Sequence, residues 1–234
     1  MTAVIRTVAE TGSTNADMAE LARSGTPEGV WLRAERQSAG KGRQGRAWDS
    51  PAGNLYVSTL IRLRPSDPPA ATLALVAAVA LEEAVRTFGV SAMLKWPNDL
   101  LVEGAKLSGI LLERTEDAVV IGLGVNLAHC PEGLDRAATS MRVYGPAPDP
   151  AIFAETLAES FERWVARWRG EGLASVRERW LVHAHPAGTA LTARLADGSA
   201  VDGLFDGLTS EGALILRLAD GTRRVIHAGD VFLL

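Results

Sequence analysis

A chain of 234 residues is too long for one minimal module and short for two full domains, so one main domain with a small appendage is expected. Its 47% hydrophobic and 22% charged residues are close to globular averages, which excludes a disordered, collagen-like or disulfide-stapled chain. A net charge of -4 supplies no chain-wide basic field for nucleic acid or an anionic membrane, so any positive patch has to be local.

The first residues show no charged stretch, apolar run and small-residue cleavage site, so no secretory signal is expected. Ser13-Thr14-Asn15 reads as a helix start, with Met18, Leu21 and Ala22 on one face and Gly25 as its stop, over about 15–24. Strands are expected over 29–35 and 55–62, separated by a glycine-rich basic loop. The apolar run 70–81 has 12 residues, too few to span a bilayer, and belongs to a buried helix over 70–88. Strand patterns return at 92–96, 100–102, 106–113 and 118–127, with Glu103-Gly104 as a turn. Hairpins beside a few helices predict an α+β fold with a mixed, largely antiparallel sheet. The lone Cys130 cannot form an internal disulfide, and a reducing cytoplasm fits.

After the PAPDP punctuation at 146–150, helices are expected over 152–169 and 173–182, the second closed by Pro186. From 188 onward, Asp197-Gly198, Glu211-Gly212 and Asp220-Gly221 part short strands in the rhythm of a small barrel of about five strands. A boundary near 186 divides the chain into domains 1–185 and 186–234.

Chemistry concentrates in a few segments. Gly40, Gly42 and Gly45 formally satisfy G-x-G-x-x-G, but turn residues and a strand follow where a dinucleotide-binding loop needs a helix. What remains is a loop able to approach a ligand closely, carrying Lys41, Arg43 and Arg46 within six residues, which suits an anion; a solvated surface turn is the plainer alternative. Lys95-Trp-Pro-Asn-Asp99 packs a cation, an aromatic, a rigid proline and a polar pair at a strand end, as function-bearing loops do, although an ordinary Asn-Asp turn would look similar. Lys106 opens an apolar strand, where it could snorkel to water or be held against an anion. The chain has 21 arginines and only three lysines, Lys41, Lys95 and Lys106, which favours a chemical reason for keeping each. Gly122-Leu-Gly124-Val-Asn126 closes the series, its glycines marking a close approach or a bulge.

Taken together, STN at 13–15, QSAGKGRQGRAW at 37–48, KWPNDL at 95–100, KLSGILLE at 106–113 and GLGVNL at 122–127 resemble, in order and spacing, the bacterial biotin protein ligases. The C-terminal segment, ending GDVFLL, resembles that family's small SH3-like domain. The resemblance implies a class II synthetase-like catalytic domain and a ligase that uses ATP and Mg2+ to activate biotin as biotinyl-5′-AMP. Biotin then passes to a lysine of the biotin carboxyl carrier domain of acetyl-CoA carboxylase or a related enzyme.

By motif, the resemblance implies that Ser13, Thr14, Asn15 and Gln37 line the biotin ureido end. Lys41, Gly42 and Arg43 would close over the carboxylate and phosphates, and Gly109 would lie on the biotin side. Arg46 and Trp48 would support the loop or the adenine, with Lys95, Asn98 and Asn126 at the nucleotide. Asp99 would bear on magnesium or the adenylate geometry, and Lys106 would touch both biotin and the α-phosphate. Lys106, Arg43 and Asp99 are the expected catalytic residues. Lys41 and Gln44 stand where many relatives carry Arg, which lowers the loop's positive charge. Only 12 residues precede Ser13, so no DNA-binding helix-turn-helix is expected, nor a membrane role; a homodimer is compatible. A lipoate ligase, or a non-enzymatic small-ligand adaptor, are the alternative readings.

Overall fold

Two central strands, β3 (Leu55–Arg62) and β7 (Ala118–Val125), pair antiparallel along their full lengths and are buried almost throughout. This computed structural model describes residues 3–131, 137–195 and 197–233; residues 1 and 234, the limits of the two expected domains and the end of GDVFLL, lie outside them. Around the central pair stand β1 (Val4–Thr11), β2 (Val30–Gln37), β4 (Met93–Lys95), β5 (Asp99–Val102) and β6 (Ala105–Thr115). Their order is β1-β2-β3-β7-β6-β5-β4, with only β1 and β2 parallel.

Strand side chains alternate between faces, and here each face has its own cover. Leu55, Val57 and Ile61 of β3 and Val119, Ile121, Leu123 and Val125 of β7 join the main apolar cluster under α2 (Leu73–Thr87) and α3 (Pro150–Glu171). On the opposite face Leu60, Ala118 and Val120 pack with Met18 and Ala22 of α1 (Thr14–Arg23). Farther along that second face Ser58, Gly122 and Gly124 replace apolar bulk, and the sheet opens there. A short fourth helix, α4 (Leu173–Val182), packs on α2 and α3. Asp149 caps α3 by accepting from the Ala151 and Ile152 amides, and Pro150 occupies the first turn, where no amide hydrogen is needed.

The C-terminal part forms a second antiparallel sheet from β8 (Ala190–Arg194), β9 (Ala200–Leu208), β10 (Leu214–Arg217), β11 (Arg223–Ile226) and β12 (Asp230–Leu233). Its order, β11-β10-β9-β8-β12, leaves the end strands unpaired with each other, so the expected five strands are present but the barrel is not closed. The three Asp-Gly or Glu-Gly turns predicted after residue 188 place glycine in the left-handed region. The sheet is fused to the rest: Leu191, Phe205, Leu214 and Ile226 belong to the same apolar cluster as α2 and α3. Trp96 Nε1 donates to the Gly212 carbonyl at 3.1 Å. The connector after α4 lies along the outer edge of β4, where the Leu94 amide donates to the His183 carbonyl at 2.7 Å.

The elements expected at 55–62 and 173–182 match β3 and α4 residue for residue. β1 has no counterpart among the sequence expectations. It is an edge strand with most residues exposed, so burial imposes no clear alternation on it.

Candidate active site

The N-terminus of α1 meets the open half of the second sheet face. Asn15 is buried and wedged against Gly122: its Oδ1 accepts from Ser58 Oγ at 2.7 Å, and its Nδ2 donates to Glu113 Oε2 at 2.7 Å. A methyl group on Gly122 would collide with Asn15 Oδ1, so the absence of a side chain there creates the asparagine's seat. Thr14 donates through both its amide (2.8 Å) and its hydroxyl (3.1 Å) to Gln37 Oε1. Ser13, Thr14, Asn15 and Gln37 thus form one polar cluster at the mouth of α1 and the end of β2.

The cationic loop is a small hairpin. The Trp48 amide donates to the Gly40 carbonyl at 2.9 Å, Lys41 bridges Ala47, and the Gly42 amide donates to the Arg46 carbonyl at 2.8 Å. Its tip turns through Gln44 (φ 56°) and Gly45 (φ 72°). Trp48 folds back over Gly124, where a Cβ would stand 2.6 Å from the indole. The indole Nε1 is buried with no hydrogen-bond partner among the described residues. Arg43 donates to Asn98 Oδ1 at 3.1 Å and to the Gly229 carbonyl at 3.2 Å, and pairs with Asp230 at 3.3 Å. Arg46 also pairs with Asp230.

The other two lysines share one buried carboxylate. Asp99 lies 2.6 Å from Lys106 Nζ and 3.6 Å from Lys95 Nζ. Lys106 is held on β6, lies over the Trp48 ring at 5.5 Å from its centroid, and is neither snorkelled nor solitary. Gly109 leaves room for this contact, since a Cβ there would touch Trp48 and Lys106 at 3.2 and 3.3 Å. Asn98 Nδ2 donates to the Ile110 carbonyl at 2.7 Å, and Asn126 Nδ2 to the Thr139 carbonyl at 3.0 Å, so both amides are fixed by the scaffold. Burial, and then the Lys95 charge, push the His185 imidazole below the ordinary histidine range, which keeps a further cation away from Lys95 at neutral pH.

One cavity of about 1020 Å³ is lined by every residue expected at the biotin or nucleotide side, Ser13, Thr14, Asn15, Gln37, Lys41, Gly42, Arg43, Arg46, Trp48, Lys95, Asn98, Asp99, Lys106, Gly109 and Asn126, while Gln44 and Gly45 of the loop tip do not line it. Asp99, expected to bear on magnesium or on the adenylate geometry, stands between two lysines. Among the described residues no three His, Cys, Asp or Glu side chains gather as a metal site, and the Asp99 carboxylate is the counter-ion of two ammonium groups. A magnesium ion that arrives on substrate phosphates needs no more than one or two carboxylates from the protein.

Four contributors were not singled out in the sequence. Ser58, Glu113 and Asp230 act on residues far away in the chain, Ser50 bonds to Gln37 and Trp48 nearer by, and no local motif reports such pairings. Asp230 ties the hairpin to the C-terminal sheet through two charge-assisted pairs. Asp230→Ala is expected to speed amide exchange over 42–46 about tenfold, the loss of roughly 1.5 kcal/mol of local stability. Hydrogen-exchange mass spectrometry checks this, and unchanged rates would show that the pairs do not restrain the hairpin.

Comparison with known proteins supplies independent findings. Residues 9–126 match the biotin/lipoate A/B protein ligase family, and residues 190–234 match the biotin protein ligase C terminal domain. The chain is 40% identical to the biotin ligase of acetyl-CoA carboxylase from Paracoccus denitrificans, over 96% of this chain and 98% of that one. It is 36% identical to the corresponding ligase from Mycobacterium tuberculosis, over 96% and 86%. In fold it resembles the biotin protein ligase of Aquifex aeolicus in complex with biotin and ATP, with a TM-score of 0.89 and 23% identity over 99% of each chain.

Proposed function

The chain belongs to the biotin/lipoate A/B protein ligase family and is an ATP-dependent biotin ligase; on that premise we propose that the cavity beside Lys106 carries out both half-reactions. In the first, a biotin carboxylate oxygen attacks the α-phosphorus of Mg-ATP and pyrophosphate leaves, giving biotinyl-5′-AMP. In the second, the ε-amine of one carrier-domain lysine attacks the acyl carbon, AMP leaves, and the amine gives up a proton as the amide forms. The acceptor is the biotin carboxyl carrier domain of acetyl-CoA carboxylase. Magnesium enters with the substrate as Mg-ATP, held by its phosphate oxygens.

The observation that carries this reading is the placement of Lys106. Its ammonium faces the cavity beside Trp48, anchored by Asp99 at 2.6 Å, so a positive charge is fixed in advance where two anions have to meet. Bringing a carboxylate against a triphosphate needs cations and exclusion of water, and Lys41, Arg43 and Arg46 on the hairpin supply the remaining charge. The Ser13, Thr14, Asn15 and Gln37 cluster suits the ureido ring, which has two N–H donors and a carbonyl acceptor. Trp48 offers a flat indole face for adenine. In this scheme Asp99 positions the two lysines, while Asn98 and Asn126 hold the walls of the nucleotide side.

Labelled biotin, Mg-ATP and an acceptor domain competent with another ligase should give labelled carrier; no transfer under those conditions would overturn the reading. Gly124→Ala should raise the KM for ATP tenfold or more by pushing Trp48 off its seat, as loss of one base–aromatic stack predicts. The affinity for biotin should move much less, and calorimetric titration of each substrate separates the two effects. No described helix is long and apolar enough to cross a membrane. The proposal extends to cytoplasmic action without DNA binding, with homodimerisation to be measured by light scattering at assay concentration.

A further inference from the structure

Hydrogen-bond direction can be assigned along a chain of side chains that runs from α1 to the hairpin. A backbone amide only donates, so the 2.8 Å contact from the Thr14 amide fixes Gln37 with its oxygen toward α1. The Gln37 amide nitrogen therefore faces the other way and donates to Ser50 Oγ at 3.1 Å. Ser50 has one proton, and it goes to the Trp48 carbonyl at 2.9 Å. Upstream, the Thr14 hydroxyl donates to the same Gln37 oxygen at 3.1 Å.

Gly40 supplies a second, independent observation. A Cβ at Gly40 would lie 2.5 Å from the Trp48 carbonyl oxygen, 2.7 Å from Ser50 Oγ and 3.0 Å from Gln37 Nε2. The chain of bonds occupies space that only glycine leaves free. Ser50 is also buried, at 7% exposure, so water does not readily replace it. The Trp48 amide is tied to Gly40 as well, so both backbone polar groups of this tryptophan are fixed at one point.

We propose that Ser50 is a positioning residue that couples occupancy of the ureido end of the cavity to the placement of Trp48 on its nucleotide side. The inference rests on the ligase reading above. A ureido group bonding to Thr14 or Gln37 polarises a chain whose donors all point one way, and each bond downstream is strengthened. Trp48 is thereby held more firmly over Gly124, and nucleotide binds better after biotin than before it. By linkage, biotin also binds better in the presence of nucleotide, by the same factor.

The test titrates α,β-methylene-ATP calorimetrically into the full-length protein with and without saturating biotin. Ser50→Ala should weaken binding of the analogue about fivefold when biotin is present, the effect of one neutral hydrogen bond, while the biotin Kd stays within about twofold of wild type. Gly40→Ala, which enters the same space from the opposite side, should reproduce that pattern, and Ser50→Thr should restore the coupling. Wild-type coupling in Ser50→Ala, or equal loss of both ligands, would overturn the proposal. A wild-type protein that shows the coupling yet releases no pyrophosphate would overturn the ligase reading and leave the coupling standing.

Discussion

Lys106→Ala is expected to lower the rate of adenylate formation by about 10² to 10³ fold, the usual effect of removing one preorganised donor from the charge that develops in a transition state. The attacked α-phosphate gains negative charge as the carboxylate adds, and pyrophosphate carries more away. An ammonium held by Asp99 at 2.6 Å needs no reorganisation to meet that charge. Lys95, at 3.6 Å from the same carboxylate, remains in the variant and keeps Asp99 from becoming an unpaired buried charge. The fold should survive, and the loss should fall on kcat more than on either KM. Lys106→Arg should recover little, because a planar fork does not replace a compact ammonium wedged between Trp48 and Gly109. Biotin-dependent pyrophosphate release measures the effect, and a near-normal rate would contradict the assigned role.

Gly122→Ala should raise the Kd for biotin about tenfold or more, the effect of losing one or two hydrogen bonds from the polar mouth of α1. The added methyl would overlap Asn15 Oδ1, and that side chain has no easy retreat. Glu113 grips its nitrogen, Ser58 its oxygen, and the residue lies in the first turn of α1. The polar mouth of the helix has to shift as a unit. Overpacking of this kind costs about 1–3 kcal/mol, a fall in Tm of several degrees for a chain of this size. Adding Asn15→Ala to Gly122→Ala should recover stability without recovering biotin affinity. Strict additivity of the two changes in a double-mutant cycle would show that the overlap is not their common cause.

Much of the candidate site was legible because its cationic, aromatic and amide residues fall in compact motifs, and folding brings all of them to one cavity. Lys106 could be singled out from a lysine-poor composition, and the hairpin from its glycines and charges. Contacts between distant segments were not legible. Asp230 sits in a terminal strand whose pattern predicts only a strand, and its pairing with Arg43 spans most of the chain. Gly122 and Gly124 were expected to mark a close approach, but what approaches, Asn15 in one case and Trp48 in the other, follows from which face of β7 they share. The surroundings of Asp99 were hidden for the same reason. The sequence shows a carboxylate near two lysines, and only the register of β4, β5 and β6 shows that both lysines point at it.

The way the C-terminal sheet is joined to the catalytic part limits how the protein can be re-engineered. Its carbonyls at Gly212 and Gly229 receive Trp96 and Arg43, its Asp230 holds the hairpin, and the connector at 183–185 lines the edge of the strand that bears Lys95. A chimaera that swaps in a foreign C-terminal module at a cut near 186 would remove three wall supports of the active centre at once. Such grafts should work only when the incoming module brings an acid in the place of Asp230 and carbonyls at the same two points, so the segment behaves as an inseparable part of the catalyst rather than an interchangeable accessory.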